Sequence, residues 1–341
     1  MSHGISTTSL VLVLALLLWR YARRRNSLRM NKISHSQERI LILGASTEDG
    51  LGAAFLRQYL ERGAAEILIV GRRQDALEKV RDSALKQVSA ERTKVTKVHV
   101  FAADCTKSKD VIQLRDFVQA KLGGLDTLQI VFGATTILPI LGLANVDPKN
   151  LNSSNTESTH VHADQSGLDS IANAVQLSSD ANVKGTALVL GAFIPILQST
   201  SNDPRVVATG SVAGLCPAPT RAVYCATKSA QHYLLDSVAL ECEAQAGEPI
   251  LGTNQRRALV RFLILAPGPI RNSFVKTYSV DSASGPRDNR QNALDVDYVV
   301  KETLDTVDTN KTGMLVLPRA VFWVSLLTKF NSTYVLCQFL T

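Results

Sequence analysis

The sequence has few cysteines and little net charge beyond its first forty residues. Its 5 cysteines form no CxxC motif and no metal-ligand spacing with histidine, so no metal site is predicted and the reduced thiols of a cytosolic protein fit best. Residues 1–40 hold seven of the 37 Lys and Arg residues but only one of the 30 Asp and Glu residues. The rest of the chain is almost neutral, which argues against binding of nucleic acid.

The amino terminus lacks the positive first region and the small-residue cleavage site of a cleaved signal peptide. No Lys or Arg precedes the apolar run Leu10–Trp19, and five arginines follow it between Arg20 and Arg29. Basic residues after such a segment hold that side in the cytosol. Residues 1–30 are therefore predicted to be an uncleaved anchor, in the membrane of the endoplasmic reticulum, whose deletion leaves a folded and active cytosolic domain.

Two alternatives to this anchor follow from its length. Residues 1–19 would measure about 28 Å as a helix, against a hydrocarbon core of ~30 Å, so a helix lying flat in the interface or a mitochondrial presequence is also compatible. Sequons at Asn152, Asn310 and Asn331 are the main argument against a cytosolic domain, since they would matter only in the lumen.

Short apolar runs separated by helical patterns mark the strands of the body. The predicted strands are Arg39–Leu43, Glu66–Val70, Lys97–Ala102, Thr127–Phe132, Arg205–Thr209, Arg261–Leu265 and Gly313–Leu317. The polar stretch 148–170 is predicted to be an inserted loop with solvated His160 and His162. A long apolar helix is predicted from Asp180. The tail 319–341 contains the apolar run Ala320–Leu327, too short to span a bilayer, which fits either an interfacial segment or an ordinary packing element.

A glycine-rich loop follows the first strand and precedes a helical stretch at Ala53–Arg62. Such glycines let the backbone approach a pyrophosphate whose charge is met by the helix N-terminus. Glu48 and Asp49 bring negative charge into this loop and are expected to point to solvent. The candidate phosphate-binding residues are Gly44, Ser46, Gly50, Leu51 and Gly52.

Arg72 and Arg73 follow the second strand, where an NAD-binding protein would carry an acid. An arginine there can hold a 2′-phosphate and stack on adenine, so Arg72 predicts NADP. Two solvated arginines that open a basic helix are the alternative.

Ser211, Tyr224 and Lys228 stand at spacings that suit one reaction. Tyr224 and Lys228 are four residues apart in a helical segment, so they share a face, and the ammonium can lower the pKa of the phenol. Ser211 lies just beyond the strand Arg205–Thr209, where open α/β sheets bind ligands. A core tyrosine with a surface lysine is the alternative.

This serine, thirteen residues before a YxxxK motif, resembles the active-site segment of the short-chain dehydrogenase/reductase family. The resemblance covers about residues 39–318 and implies one α/β domain, a doubly wound parallel sheet (Rossmann fold) of about seven strands. It implies hydride transfer between NADP(H) and a carbonyl or alcohol. Tyr224 would donate the proton, Ser211 would bond the carbonyl oxygen, and Lys228 would hold the ribose and lower the Tyr224 pKa.

The resemblance also assigns residues outside this segment. Asn182 matches a fourth catalytic position, where the family's asparagine bends its helix and holds a water that relays protons to the lysine. Asp104 matches an acid beside the adenine, although it could equally cap a helix. The further cofactor-binding residues implied are Ala134, Pro267, Gly268 and Ile270.

The chain departs from the family pattern at three places. The glycine loop carries two extra residues, and residues 132–135 read FGAT where the family has NNAG. Asn272 and Ser273 stand where the family has threonine and could bond the carboxamide of the cofactor. Residues 275–295 occupy the region of a substrate lid.

A hydrophobic small molecule such as a steroid, a retinoid or a ketoacyl lipid is the expected substrate, and a homodimer is one expected assembly. A membrane-tethered dinucleotide-binding scaffold without turnover is the alternative function, suggested by the altered glycine loop and the missing asparagines.

Overall fold

The computed structural model describes residues 28–89, 91, 95–146, 162–281 and 293–321. Seven parallel strands form one sheet in the order β3-β2-β1-β4-β5-β6-β7, which confirms the predicted doubly wound fold. The strands are β1 Arg39–Leu43, β2 Glu66–Gly71, β3 Lys97–Ala102, β4 Thr127–Ile130, β5 Arg205–Thr209, β6 Arg261–Pro267 and β7 Gly313–Leu317. The order reverses between β1 and β4, so their carboxyl ends form the switch point at which such sheets bind ligands.

Helices cover both faces of the sheet, because successive side chains of a strand point to opposite sides. The described helices are α1 Leu51–Glu61, α2 Gln74–Gln87, α3 Ser108–Leu122, α4 Ile140–Leu143, α5 Gln165–Ser179, α6 Gly185–Thr200, α7 Ala222–Gln245, α8 Phe274–Tyr278 and α9 Val296–Asp308. Leu41 and Leu43 of β1 pack with α3, α6 and α7. Ile40 and Ile42 pack with α1, α2 and α9 on the other face.

The helix predicted from Asp180 begins earlier, inside the stretch predicted as a loop. Asp164 caps α5 by accepting a hydrogen bond from the amide of Gly167 (2.8 Å). A π-helical turn at Asp180–Lys184 joins α5 to α6. An N-cap side chain stabilises a helix start by about 1 kcal/mol. The predicted loop therefore extends too far at its carboxyl end, while residues 148–161 lie outside the described residues and His162 is exposed.

Among the described residues, one helix is long and apolar enough to cross a membrane by length and composition, namely Gln165–Thr200. Of its most apolar window, 44% is buried inside the domain. Val189 and Phe193 are fully buried in the core, so packing on the sheet accounts for much of this apolar character and the helix is weak evidence for a membrane location.

Arg29 belongs to the folded domain, which corrects the expectation that residues up to 30 contribute nothing to it. Its side chain is buried beneath the amino ends of the strands and donates to Glu38 and to Thr127 Oγ1 (2.8 Å). It also donates to the backbone carbonyls of Asp126 and Asp203 (3.3 and 3.4 Å). The domain therefore begins before the first strand.

Several predictions concern residues outside the described ranges. These are the apolar anchor segment, His160, the middle of the lid at 282–292, and the tail beyond Val321.

Candidate active site

A cavity of about 1360 Å³ lies at the carboxyl ends of the strands, over the switch point between β1 and β4. Its size exceeds that of an ordinary small-ligand pocket, as a site for a dinucleotide and a substrate requires. All of the predicted site residues line it except Gly52 and Asn182, which lie directly behind its wall.

Ser211 and Tyr224 meet in this cavity. Ser211 follows the end of β5, and its Oγ accepts a hydrogen bond from the amide of Ala213 (3.1 Å), which starts a short 3₁₀ turn. Tyr224 lies in the first turn of α7 and is partly buried. Burial raises the pKa of Tyr224, and a hydrogen bond with Ser211 and the positive charge of Arg221 act in the opposite direction.

Lys228 lies one helical turn after Tyr224, and its surroundings change the role expected for it. Its ammonium donates to the carbonyl of Thr209 (3.0 Å) and to Oε1 of Gln231 (2.9 Å). Burial lowers the pKa of Lys228 to about 7, because a charged group loses its hydration there. Burial therefore opposes the positive charge that Lys228 was expected to place beside Tyr224, and its two hydrogen bonds as a donor act in the other direction.

Asn182 lies in the π turn between α5 and α6, buried completely. Its amide nitrogen donates to the carbonyl of Ala134, and its oxygen accepts from the amide of Ala134 (both 2.9 Å). The same nitrogen donates to Thr227 Oγ1 (2.9 Å). Single π turns occur frequently at functional sites, and this one aims Asn182 at the loop after β4.

A chain of side chains joins Lys228 to the backbone of this turn. Gln231 accepts from Lys228 and donates to Thr186 Oγ1 (3.0 Å), which in turn donates to the carbonyl of Asn182 (2.8 Å). All of these groups are buried. The network holds Lys228 Nζ beside the cavity, and sequence spacing did not reveal Gln231 or Thr186 as part of the site.

Gly133 replaces an asparagine of the family pattern, and the space beside it is filled. A Cβ atom at Gly133 would lie 2.8 Å from Asn182 Oδ1 and 3.4 Å from Lys228 Nζ. A side chain here would displace Asn182, whose hydrogen bonds to Ala134 position the loop. Asn182 therefore occupies much of the space that the missing asparagine would need.

The glycine loop fits the pyrophosphate of a dinucleotide, despite its two extra residues. Gly44 has a φ of +99°, and a Cβ there would meet the Phe132 amide nitrogen at 2.5 Å. A Cβ at Gly52 would meet the carbonyl oxygen of Gly44 at 2.5 Å. These glycines let the chain turn closely above the N-terminus of α1, where free amides and the helix dipole favour an anion.

The two acids of this loop, Glu48 and Asp49, were predicted to point to solvent. Asp49 also makes hydrogen bonds within the protein. Its carboxylate accepts hydrogen bonds from the amide and the hydroxyl of Ser273 (both 2.7 Å). Thr47 makes a second contact to the same segment through the hydroxyl of Tyr278 (2.8 Å). Asp49 and Thr47 of the glycine loop therefore bind the segment that leads into the lid. Ser273 was predicted to bond the carboxamide of the cofactor, and it is bonded to Asp49.

Lid residues 278–281 also bond the loop that follows β4. Thr135 donates its amide to the carbonyl of Tyr278 and accepts from the amide of Val280 (both 3.0 Å). The carboxylate of Asp281 accepts from the amides of Ile137 and Leu138 (2.7 and 2.8 Å). These bonds close the described part of the lid over the cavity.

One end of the cavity carries the two arginines and the aspartate that were predicted to bind the adenosine part of the cofactor. Arg72 is exposed and lines the cavity, while Arg73 Nη2 donates to the carbonyl of Ser46 (3.3 Å). Asp104 lines the cavity and also accepts from the amide and hydroxyl of Thr106 (3.0 and 2.8 Å). Asp104 therefore stabilises a turn ahead of α3 but does not cap that helix, whose N-cap residue is Lys107; it also lines the cavity.

Metal ligation is not indicated anywhere in the described ranges, where no cluster of three or more His, Cys, Asp or Glu side chains occurs. No disulfide joins the four described cysteines, Cys105, Cys216, Cys225 and Cys242.

Comparison with known proteins identifies relatives of this chain. Short-chain dehydrogenase/reductase 3 of Bos taurus is 26% identical over 205 residues, which are 60% of this chain and 56% of that protein. Human 17-beta-hydroxysteroid dehydrogenase type 1 is 40% identical over 74 residues, 22% of this chain and 21% of that protein. The matches thus span less than two thirds of these relatives.

Solved structures show the same fold at low identity. The short chain dehydrogenase/reductase of Burkholderia phymatum in complex with NAD has a TM-score of 0.64 and 16% identity, and the match covers 88% of this chain and 95% of that one. The alcohol dehydrogenase of the archaeon Thermococcus sibiricus, complexed with 5-hydroxy-NADP, has a TM-score of 0.57 and 18% identity, with 82% and 96% covered.

A family model described as short chain dehydrogenase matches residues 38–276. This range includes the glycine loop, the π turn of Asn182 and the segment from Ser211 to Lys228. Since it spans more than half of the chain, the protein belongs to the short-chain dehydrogenase/reductase family of oxidoreductases, which bind a nicotinamide dinucleotide.

Proposed function

We propose that this protein transfers a hydride between NADP(H) and the carbonyl or alcohol group of a hydrophobic substrate. The observation that supports this most is the convergence of Ser211, Tyr224 and Lys228 on one cavity at the switch point of the sheet. A scaffold without turnover would not need a phenol, a serine hydroxyl and a buried lysine at this point.

The cofactor proposed is NADP, held by the glycine loop, Asp104 and the segment Pro267–Ile270. Arg72 and Arg73 lie after β2 where an acid would bind the ribose hydroxyls of NAD, and guanidinium groups are good partners for a 2′-phosphate. When bound, the nicotinamide ring of this cofactor supplies or accepts the hydride. The two similar structures named above were solved with an NADP derivative and with NAD, so they do not decide between the two cofactors.

The side chains of the site then handle the proton and the oxygen. In the reducing direction Tyr224 donates its hydroxyl proton to the carbonyl oxygen, and Ser211 stabilises that oxygen by a hydrogen bond. Lys228 lies where its ammonium can bind the ribose hydroxyls. Asn182 keeps the loop after β4 in place through its paired bonds to Ala134.

The lining of the other end of the cavity supports a hydrophobic substrate. Apolar side chains near Tyr224 line it, including Val212, Ala213, Pro217 and Val280. One relative is named as a hydroxysteroid dehydrogenase. With the predicted amino-terminal anchor, these observations support a lipid, steroid or retinoid that reaches the enzyme from the endoplasmic reticulum membrane.

The test is NADPH consumption against a panel of steroid ketones, retinal and ketoacyl lipids. We expect turnover with at least one of them, and Tyr224→Phe should lower kcat by at least ~10²-fold while NADPH still binds. Tyr233→Phe is the matched control, since Tyr233 lies on the same helix but is 76% exposed. Normal turnover by Tyr224→Phe would exclude this mechanism, and NADPH binding without turnover on any substrate would favour the scaffold.

A further inference from the structure

A second cationic side chain lies beside Tyr224. Arg221 immediately precedes α7, and its guanidinium carbon is 6.0 Å from the centre of the Tyr224 ring. Arg221 is 9% exposed and lines the cavity. A charge with so little water around it acts more strongly on its neighbours than a surface charge does.

The loop after β4 holds this guanidinium in place. Arg221 Nη1 donates to Thr135 Oγ1 (2.9 Å) and to the carbonyl of Thr136 (3.0 Å). Thr136 Oγ1 in turn accepts from the backbone amide of Tyr224 (3.2 Å). The two threonines therefore fix the cation and the first turn of the phenol's helix relative to each other, which a mobile surface arginine would not achieve.

Other titratable groups lie on the elements that surround this part of the cavity. Cys225 and Lys228 lie on the same helix as Tyr224. Cys216 on the loop before that helix, Asp180 on the π turn and Tyr278 on the lid line the cavity. Asp180 is paired with Lys184 (2.7 Å), and burial lowers the pKa of Lys228 to about 7. An arginine, in contrast, stays protonated in proteins.

We propose that Arg221 is a positioning residue that supplies a second, permanent positive charge beside the Tyr224 phenol, in addition to Lys228. This inference rests on the proposed function, in which Tyr224 exchanges a proton with the substrate. Arg221 favours the phenolate form and so makes proton release easier than burial alone would allow.

The experiment measures the acidity of Tyr224 directly in the full-length protein without cofactor. Replacement of all 7 tyrosines by a ring-fluorinated tyrosine lowers the phenol pKa into a range where proteins stay folded, and fluorine NMR follows each ring during a pH titration. The signal of Tyr224 is the one that Tyr224→Phe removes. The titration does not require turnover. Its result for Arg221 is therefore independent of whether the protein is found to transfer a hydride.

Arg221→Gln removes the charge and should raise the pKa of Tyr224 by about 1 unit. Arg221→Lys keeps the charge but loses the planar donor pair, and should raise that pKa by less than half as much. Arg57→Gln, at a surface pair with Asp297, should leave it unchanged. Equal shifts in Arg221→Gln and Arg221→Lys, or no shift in Arg221→Gln, would overturn the proposal. Arg221→Met replaces the Gln variant if that variant does not fold.

Discussion

Arg29 and Glu38 form a buried ion pair beneath the amino ends of the strands, with 4% and 3% of their side chains exposed. Burial alone would raise the pKa of the Glu38 carboxyl, but Arg29, His35 and Thr127 outweigh it and hold that pKa at about 2. The depressed pKa means that this contribution to stability is present above the unfolded value of 4.5 and is lost as the pH falls towards 2. Both residues precede β1, and Thr127 of β4, which is hydrogen-bonded to both, connects the pair to the sheet.

Deletion of residues 1–30 should therefore destabilise the domain, whereas deletion of residues 1–27 should not. The longer deletion removes Arg29 and leaves Glu38 buried without its cation, which costs about 3–5 kcal/mol. Arg29→Met in the full chain should lower the free energy of unfolding by a similar amount. Glu38→Gln added to Arg29→Met should restore part of that free energy. Urea unfolding measures all four variants, and equal stability of the two truncated proteins would contradict this prediction.

Arg72→Ala should narrow the preference for NADPH over NADH. A charged hydrogen-bonded contact to the 2′-phosphate contributes on the order of 1.5–3 kcal/mol, and NADH has no such group. Cofactor titration by fluorescence measures both affinities. Arg81→Ala is the control, because Arg81 lies on α2 but pairs with Asp82 at the surface (2.8 Å). Equal affinities of the unmodified protein for the two cofactors would refute the NADP assignment.

Asp49→Asn should loosen the lid. The carboxylate of Asp49 accepts two hydrogen bonds from Ser273, and an amide can replace only part of this charged contact, which at an exposed position contributes about 0.5–1 kcal/mol. Hydrogen exchange of the Ser273–Tyr278 amides should therefore become roughly 2- to 5-fold faster. Glu48→Gln, at the exposed neighbouring position, should leave exchange unchanged, and an unchanged rate in Asp49→Asn would show that this contact does not hold the lid.

Lys228→Met should change how stability depends on pH. The folded pKa of Lys228 is about 7 and its ordinary value is 10.5, so between these values the unfolded chain binds the extra proton. Wild type should therefore gain stability relative to Lys228→Met as the pH rises from 7 to 10, by roughly 1.4 kcal/mol per pH unit. Urea unfolding at several pH values tests this, with the exposed Lys97→Met as control. A constant difference would mean that Lys228 stays charged when folded.

The sheet could be predicted because its strands are short apolar runs whose bounds the hydrophobic pattern marks. The segment from Ser211 to Lys228 could be found because its residues are close in sequence and lie on one loop and one helix. The start of α5 had a signal that was missed, an N-cap aspartate at position 164 ahead of helix-forming residues. Its polar composition favoured a loop instead.

The contacts that sequence reasoning missed join residues far apart in the chain. Asp49 and Ser273 are separated by 224 positions, and Arg29 and Thr127 by 98. No local pattern marks either pair, because only the folded sheet brings them together. Arg221 was overlooked for a different reason, since an arginine before a helix is ordinary and only its burial against Thr135 and Tyr224 distinguishes it.

The contact between Gly133 and Asn182 limits the routes by which this sequence can change. A single substitution that returns the family's asparagine at position 133 would push into Asn182 Oδ1, 2.8 Å from the new Cβ, and break the bonds to Ala134. The family pattern combines this asparagine with one at the position of Asn182, so the two side chains fit together only where the loop after β4 stands farther from the π turn. Gly133 therefore marks a closer approach of these two segments than the usual motif would allow.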